Sequence, residues 1–415
     1  MKNIGTLYRF ELRKILSRKL TWIFLAVILL YCIISIITVS NSNAIMLKYP
    51  DESGTIATIS FTNKEYFSKS HEAGQKIAGQ PMDDTFFAEM GQSVPEFDEI
   101  ELADGEFYDS ELAYFLYQDA TYYHVWNIVD GLVENPRTIS AKDYYSALEM
   151  VRERMWDREE LTDSEKDYWR EQVSEIETPF IYNRPWVATP LLFDFLYNLL
   201  DILPLAVAVC LCTIFSEDRN MRVEALIFSS KNSRRPLFVA KILAGVTGAL
   251  LVAVLVIGTT LITHFAIYGA EGLNAVIQMS DSMSALSIKL FQFILAQVIW
   301  LILLAMVYAG ITMLTSILSH NGIASFLIPV AVMLFVSDFI DPTNASRMAD
   351  YLPHNLVGWG AEYNCHLVNI LGVQMNCLQF APLLYGGIAI ILLILCRFGW
   401  RCTASSKKRI HAPKM

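Results

Sequence analysis

The sequence predicts an all-α membrane protein with six transmembrane helices, both termini in the cytoplasm, and a large, mainly helical extracytoplasmic domain between the first and second helices. Three observations carry this. Hydrophobic residues make up 54% of the 415 and gather into long blocks almost free of charge, the composition of a chain solvated by lipid. Lys and Arg concentrate at the two ends and in one short loop, the asymmetry that sets orientation across a bilayer. Between the first two apolar blocks lie about 150 residues of different composition, long enough to build their own core.

Residues 1–19 open the chain as a basic amphipathic helix. Ile4, Leu7, Tyr8, Leu12, Ile15 and Leu16 fall on one side and Arg9, Arg13 and Ser17 on the other, with Phe10 and Glu11 blurring the division. Such a helix lies in the membrane interface. It leads into a first span at 20–39, with Trp22 marking the interface. No small-residue cleavage site follows, so this span is expected to stay uncleaved. Residues 188–397 hold the other five spans, at about 190–215, 237–266, 288–317, 323–340 and 379–397, each near the ~20 residues a crossing helix needs. The stretch 290–337 has 48 residues without Asp, Glu, Lys or Arg. That is too long for one span, and Ser-His-Asn-Gly at 319–322 divides it into a helical hairpin.

Orientation follows from the loops. Six Lys and Arg precede the first span, five lie between the second and third, and six follow the last, whereas residues 267–287 carry none and 341–378 carry only Arg347. Both termini, including the basic tail 398–415, are therefore expected inside. The domain at 40–187 has 12 Lys and Arg against 30 Asp and Glu. Apolar residues recur at helical spacing in 110–133, 140–161 and 162–177, and Ser140 with Asp143 and Thr162 with Glu165 have the spacing of capping boxes. Residues 44–61 read as a short strand pair.

Catalytic apparatus is not visible. The chain has no GxxxxGK[ST] loop to cradle phosphates, no GxSxG elbow, and a His-Glu pair at His71 and Glu72 without the second His of a metal-binding helix. No catalytic residue, metal ligand or cofactor of its own is expected, and no nucleic-acid partner. An intramembrane enzyme would need converging groups that the spans do not show.

Other residues carry two readings each. Asp194 and Asp201 are seven apart and so share a helical face; they line a cationic substrate's route or sit at the outer interface. His264, deep in the third span, is a pathway group or a hydrogen-bonded packing residue. Cys365 and Cys377, in the last outer loop, form a disulfide or remain two thiols. Asp338 and Asp341 read as a helix end before a Pro stop, residues 344–346 match a glycosylation acceptor, and Gly245 and Gly248 allow close helix approach.

The segment 215–241 has nine charged residues between two apolar runs. Its loop, 216–236, is the only substantial cytoplasmic one. Glu217, Asp218, Arg219, Arg222 and Glu224 lie on three potential helical turns, and Pro236 opens the third span. Such a polar helix across the inner ends of two spans is a docking surface, or else an orienting anchor.

With its interfacial helix and this loop, the chain resembles the ABC-2 type permeases, membrane subunits of bacterial type V ABC exporters. Phe215, Glu217 and Arg219 match an F-x-E-x-R start, Ser233 and Arg234 a Ser-Arg turn, and Lys241 a span-opening lysine. The resemblance implies a multi-pass permease of the bacterial plasma membrane, contacting lipid and two copies of a separate ATP-binding subunit through this loop. ATP and Mg would sit on that partner. It also implies a second permease copy or homologue, an amphipathic or hydrophobic exported substrate (peptide, lipid-like or drug-like), and re-entrant helices within 351–380. The large outer domain departs from the smallest relatives. A rival class is a membrane-anchored sensor or immunity protein whose acidic outer domain binds a cationic peptide.

Overall fold

A computed structural model describes residues 2–50, 56–75, 77–93, 139–183, 188–220, 234–280, 283–319, 321–338, 347, 349–358 and 365–410. Five of its helices are long and apolar enough to cross a membrane, and the chain is a membrane protein by that measure. These are α2 (Lys19–Asn41), α7 (Thr189–Leu211), α9 (Arg234–Tyr268), α10 (Leu290–Ser319) and α12 (Cys377–Ile410). They follow α1 (Lys2–Leu16) and the elements of the inserted domain: β1 (Asn43–Pro50), β2 (Ile56–Thr62), α3 (Asn63–Gly74), α4 (Asp84–Ser93), α5 (Ala141–Arg158) and α6 (Asp163–Ser174). A four-residue helix, α8 (Glu217–Asn220), follows α7, and α11 (Gly322–Asp338) follows α10.

α10 and α11 are split where expected. α10 stops at Ser319, and Asn321 Oδ1 accepts the Ile323 N–H at 2.9 Å, capping α11. The 17 residues of α11 give about 25 Å of helix, short of the ~30 Å hydrocarbon core. α12 runs on past residue 398, where the sequence suggested a separate tail, and stays helical to Ile410.

The bundle core is built by α7, α9 and α10, whose facing residues Leu196, Leu203, Val256, Phe293, Leu301 and Ala305 are buried together. Small residues set the closest approaches. A Cβ at Gly310 of α10 would lie 2.8 Å from Cβ of Leu392 on α12, and one at Gly245 of α9 would lie 2.5 Å from Sδ of Met313. Gly248 faces Ile15, Cys210 and Leu211, so both α9 glycines serve packing.

The inserted domain has the expected strand pair, β1 antiparallel to β2. Both capping boxes form: Ser140 with Asp143 opens α5, and Thr162 with Glu165 opens α6. Its core holds Met82, Phe86, Phe87, Tyr144, Leu148, Phe180 and Tyr182, and is completed by Ala275 and Met279 from the linker between α9 and α10. Arg152 of α5 donates to the carbonyls of Met283 and Ser284 in that linker. The domain therefore shares its core with the bundle instead of closing over residues 40–187 alone. A second attachment involves the segment before α12: Trp169 Nε1 donates to the Cys365 carbonyl at 2.7 Å, and Glu165 accepts from Leu367 N at 3.1 Å and from Arg347 at 3.3 Å.

That segment corrects the expectation of re-entrant helices. Among the described residues it holds two single 3₁₀ turns (Ala349–Tyr351 and Pro353–Asn355) and a hairpin of β3 (Val368–Ile370) and β4 (Val373–Met375). Leu371 and Gly372 at the tip have φ of 54° and 90°, the pair of positive values a type I′ turn requires. Asn369 Oδ1 accepts the Gly372 N–H at 2.9 Å and secures it. The helix expected at 110–133, the residue Asp341 and the acceptor at 344–346 lie outside the described residues.

Candidate functional site at the base of the bundle

Where α1, the end of α7 and the start of α9 meet, four charged side chains close a ring. Lys241 Nζ lies 3.1 Å from Glu11 Oε2 and 2.9 Å from Asp218 Oδ2; Lys14 Nζ lies 3.2 Å from Glu11 Oε1 and 2.9 Å from Asp218 Oδ1. Each ammonium bridges both carboxylates, and each carboxylate uses both oxygens. The charges cancel within the ring, which is what allows burial: Lys241, Glu11 and Asp218 are 1, 3 and 5% exposed. An isolated charge in that position would pay a desolvation cost of several kcal/mol. Lys241 spends another donor on the Ile214 carbonyl at 2.6 Å, fixing the turn after α7.

Two further contacts extend the ring. Arg18, between α1 and α2, pairs with Glu217 at 2.6 Å and reaches the Cys210 carbonyl at 3.4 Å. Phe215 is buried beneath Lys241, whose Nζ sits 5.7 Å from the ring centroid, within cation–π range. Phe215 also stacks against Trp400 of α12 at 5.6 Å and Phe238 of α9 at 6.2 Å, and its backbone N–H donates to Ser316 Oγ of α10. α1, α7, α9, α10 and α12 thus converge on residues 214–218.

The electrostatics follow from this geometry. Burial pushes the Asp218 carboxyl up, but Lys241 and Lys14 outweigh it and hold Asp218 below the usual carboxylate range. Burial likewise opposes the charge on Lys14, while Asp218 and Glu11 raise its ammonium above its ordinary value.

The residues singled out in the sequence are distributed as follows. Phe215, Glu217, Asp218 and Lys241 come together here, with Asp218 and Lys241 paired to Lys14 and Glu11 of α1. Arg219 lies in α8 and Arg234 opens α9, while Arg222, Glu224 and Ser233 lie outside the described residues. Asp194 and Asp201 share an exposed face of α7 with Tyr197 and Asn198. His264 is fully buried instead, its ring 4.7 Å from that of Tyr268 and 5.9 Å from that of Phe195, so the three do not form one environment. Cys365 and Cys377 are both buried and unbridged. Among the described residues no group of three His, Cys, Asp or Glu is placed to hold a metal.

Sequence reasoning missed Glu11, Lys14 and Arg18 as partners of the loop. The available signal was Glu11 itself, an acid on the apolar side of an amphipathic helix. No family model, curated protein or solved structure matches the chain.

Proposed function

We propose that the chain is the permease subunit of an ATP-driven ABC exporter of the ABC-2 type, moving an amphipathic or hydrophobic substrate outward. Supporting the reading most is the buried charge ring, which joins α1 and the roots of α7 and α9 into one piece within the expected coupling segment 216–236 and its flanks. In this reading the loop faces the cytoplasm and meets a separate subunit that carries the ATP and Mg site. A push on the loop is passed to three helices at once, because the ring and the Phe215 cluster leave no slack between them. Rigid-body tilting of packed helices then alternates the exposure of the pathway. α11 serves as the sixth span, the inserted domain lies outside the cell, and a second permease copy or homologue completes the pathway.

A photo-crosslinking amino acid at Ser229, within the loop, tests this in cells of the native host. The expected adduct joins the chain to a protein with a phosphate-binding loop, identified by mass spectrometry. Efficient adducts that never contain a nucleotide-binding protein would overturn the reading and favour the membrane sensor or immunity class.

A further inference from the structure

The inserted domain carries a cleft that the base of the bundle does not use. One wall is a face of α5 on which Leu148, Arg152 and Trp156 recur at four-residue spacing; Val173 and Ser174 of α6 form the other, and Phe180 closes the end. It holds about 420 Å³, within the range of small-ligand sites. Leu148, Trp156 and Phe180 are buried and make the interior apolar.

Its polar groups are unevenly committed. Arg170 is held by Glu153 at 2.7 and 2.9 Å and by Asp167 at 3.0 Å, and Arg152 is turned to the carbonyls of Met283 and Ser284. Glu149, exposed at the rim, has no hydrogen-bond or ion-pair partner among the described residues. The indole N–H of Trp156 is buried beneath the wall, with no acceptor among the described residues. The cleft therefore offers an apolar interior and an uncommitted carboxylate at its rim. The surrounding domain, with 30 acidic against 12 basic residues in 40–187, attracts cations toward it.

We propose that this α5–α6 cleft binds a cationic peptide segment: an aromatic or aliphatic side chain fills the interior and a neighbouring ammonium meets Glu149. Ile176 and Phe180, which line the cleft, also line a crevice of about 380 Å³ against Gln278 and Lys289 at the root of α10. An occupant that shifts Phe180 is thereby felt where the domain joins the bundle.

The test uses the full-length chain in lipid nanodiscs, without nucleotide or any second protein, so its outcome is independent of the exporter reading. The probe is N-acetyl-phenylalanyl-lysine amide, compared by calorimetric titration with the same peptide acetylated on the lysine. The expected result is at least tenfold weaker binding of the acetylated probe, a similar loss for Glu149→Gln, and no detectable binding for Ser174→Trp, which fills the mouth from an exposed position. The proposal is overturned if wild type does not bind the probe. It is equally overturned if both probes bind alike, or if either variant, melting as wild type does, binds undiminished.

Discussion

Replacing Lys241 with methionine keeps most of the side chain's volume and removes its ammonium. Glu11 and Asp218, both buried, are then left with only Lys14 between them. Breaking a buried ion pair from one side costs about 3–5 kcal/mol, because the abandoned charge is not resolvated. The local consequence is release of α1. Arg9 and Arg13 are exposed on that helix but are cleavable by trypsin only when it opens, and when opening is fast the cleavage rate tracks the open population. At about 1.4 kcal/mol per decade, Lys241→Met should speed cleavage after these residues by roughly 10²–10⁴-fold. Adding Glu11→Gln restores charge balance, since Lys14 and Asp218 remain as a pair, and should recover at least tenfold of that loss. Cleavage of Lys241→Met within about threefold of wild type would refute the ring's role in holding α1. Strict additivity of the two changes would refute it as well, because members of one network must couple.

Other consequences follow from particular contacts. His366 has a carboxylate oxygen of Asp350 2.6 Å from Nδ1 and the Glu159 carbonyl 3.0 Å from Nε2, so only the imidazolium donates to both. The Asp350 contact raises its pKa above the usual value despite opposing burial. Its contribution is complete below about pH 6.5 and is lost as pH rises through the raised value; melting across this range should decline in wild type and flatten in His366→Asn. Gly310→Ala forces a Cβ to within 2.8 Å of Leu392 Cβ, whereas Gly258→Ala meets nothing within 4 Å. The first should cost about 1–3 kcal/mol and the second should be neutral or stabilise by up to ~1 kcal/mol, as read from thermal unfolding in detergent. Residues 40–187 expressed alone lack Ala275 and Met279 and should show no cooperative calorimetric transition. Fusing residues 272–290 to them should restore one, and a cooperative transition without that linker would contradict the shared core.

Much of this architecture was legible in the sequence because the signals are local. Charge-free runs placed α2, α7, α9, α10 and α12 to within a few residues at most ends, Ser319 to Gly322 marked the break before α11, and both capping boxes were read from a three-residue spacing. The ring was not legible, because its members lie 230 residues apart in the pair of Glu11 with Lys241, and periodicity reports only which face a residue occupies. On that criterion Glu11 is a defect in an apolar stripe; in the fold it is the buried half of an ion pair. The segment 216–236 reads as a docking surface or an anchor, and nothing local marks Asp218 as the member turned into the ring. The hairpin at 368–375 was obscured because Leu at a positive φ is not a turn signal, and only Gly372 pointed that way. The shared core was missed because Ala275 and Met279 sit in a short apolar stretch that resembles any loop, and only long-range packing shows what it fills.

The measurement that tests the central claim most directly is the native mass of the intact assembly, extracted from its host in lipid nanodiscs. The account predicts two permease chains, each of 47.0 kDa if both are copies of this one, together with two copies of a nucleotide-binding protein. Assemblies of this chain that never include a nucleotide-binding protein would contradict it.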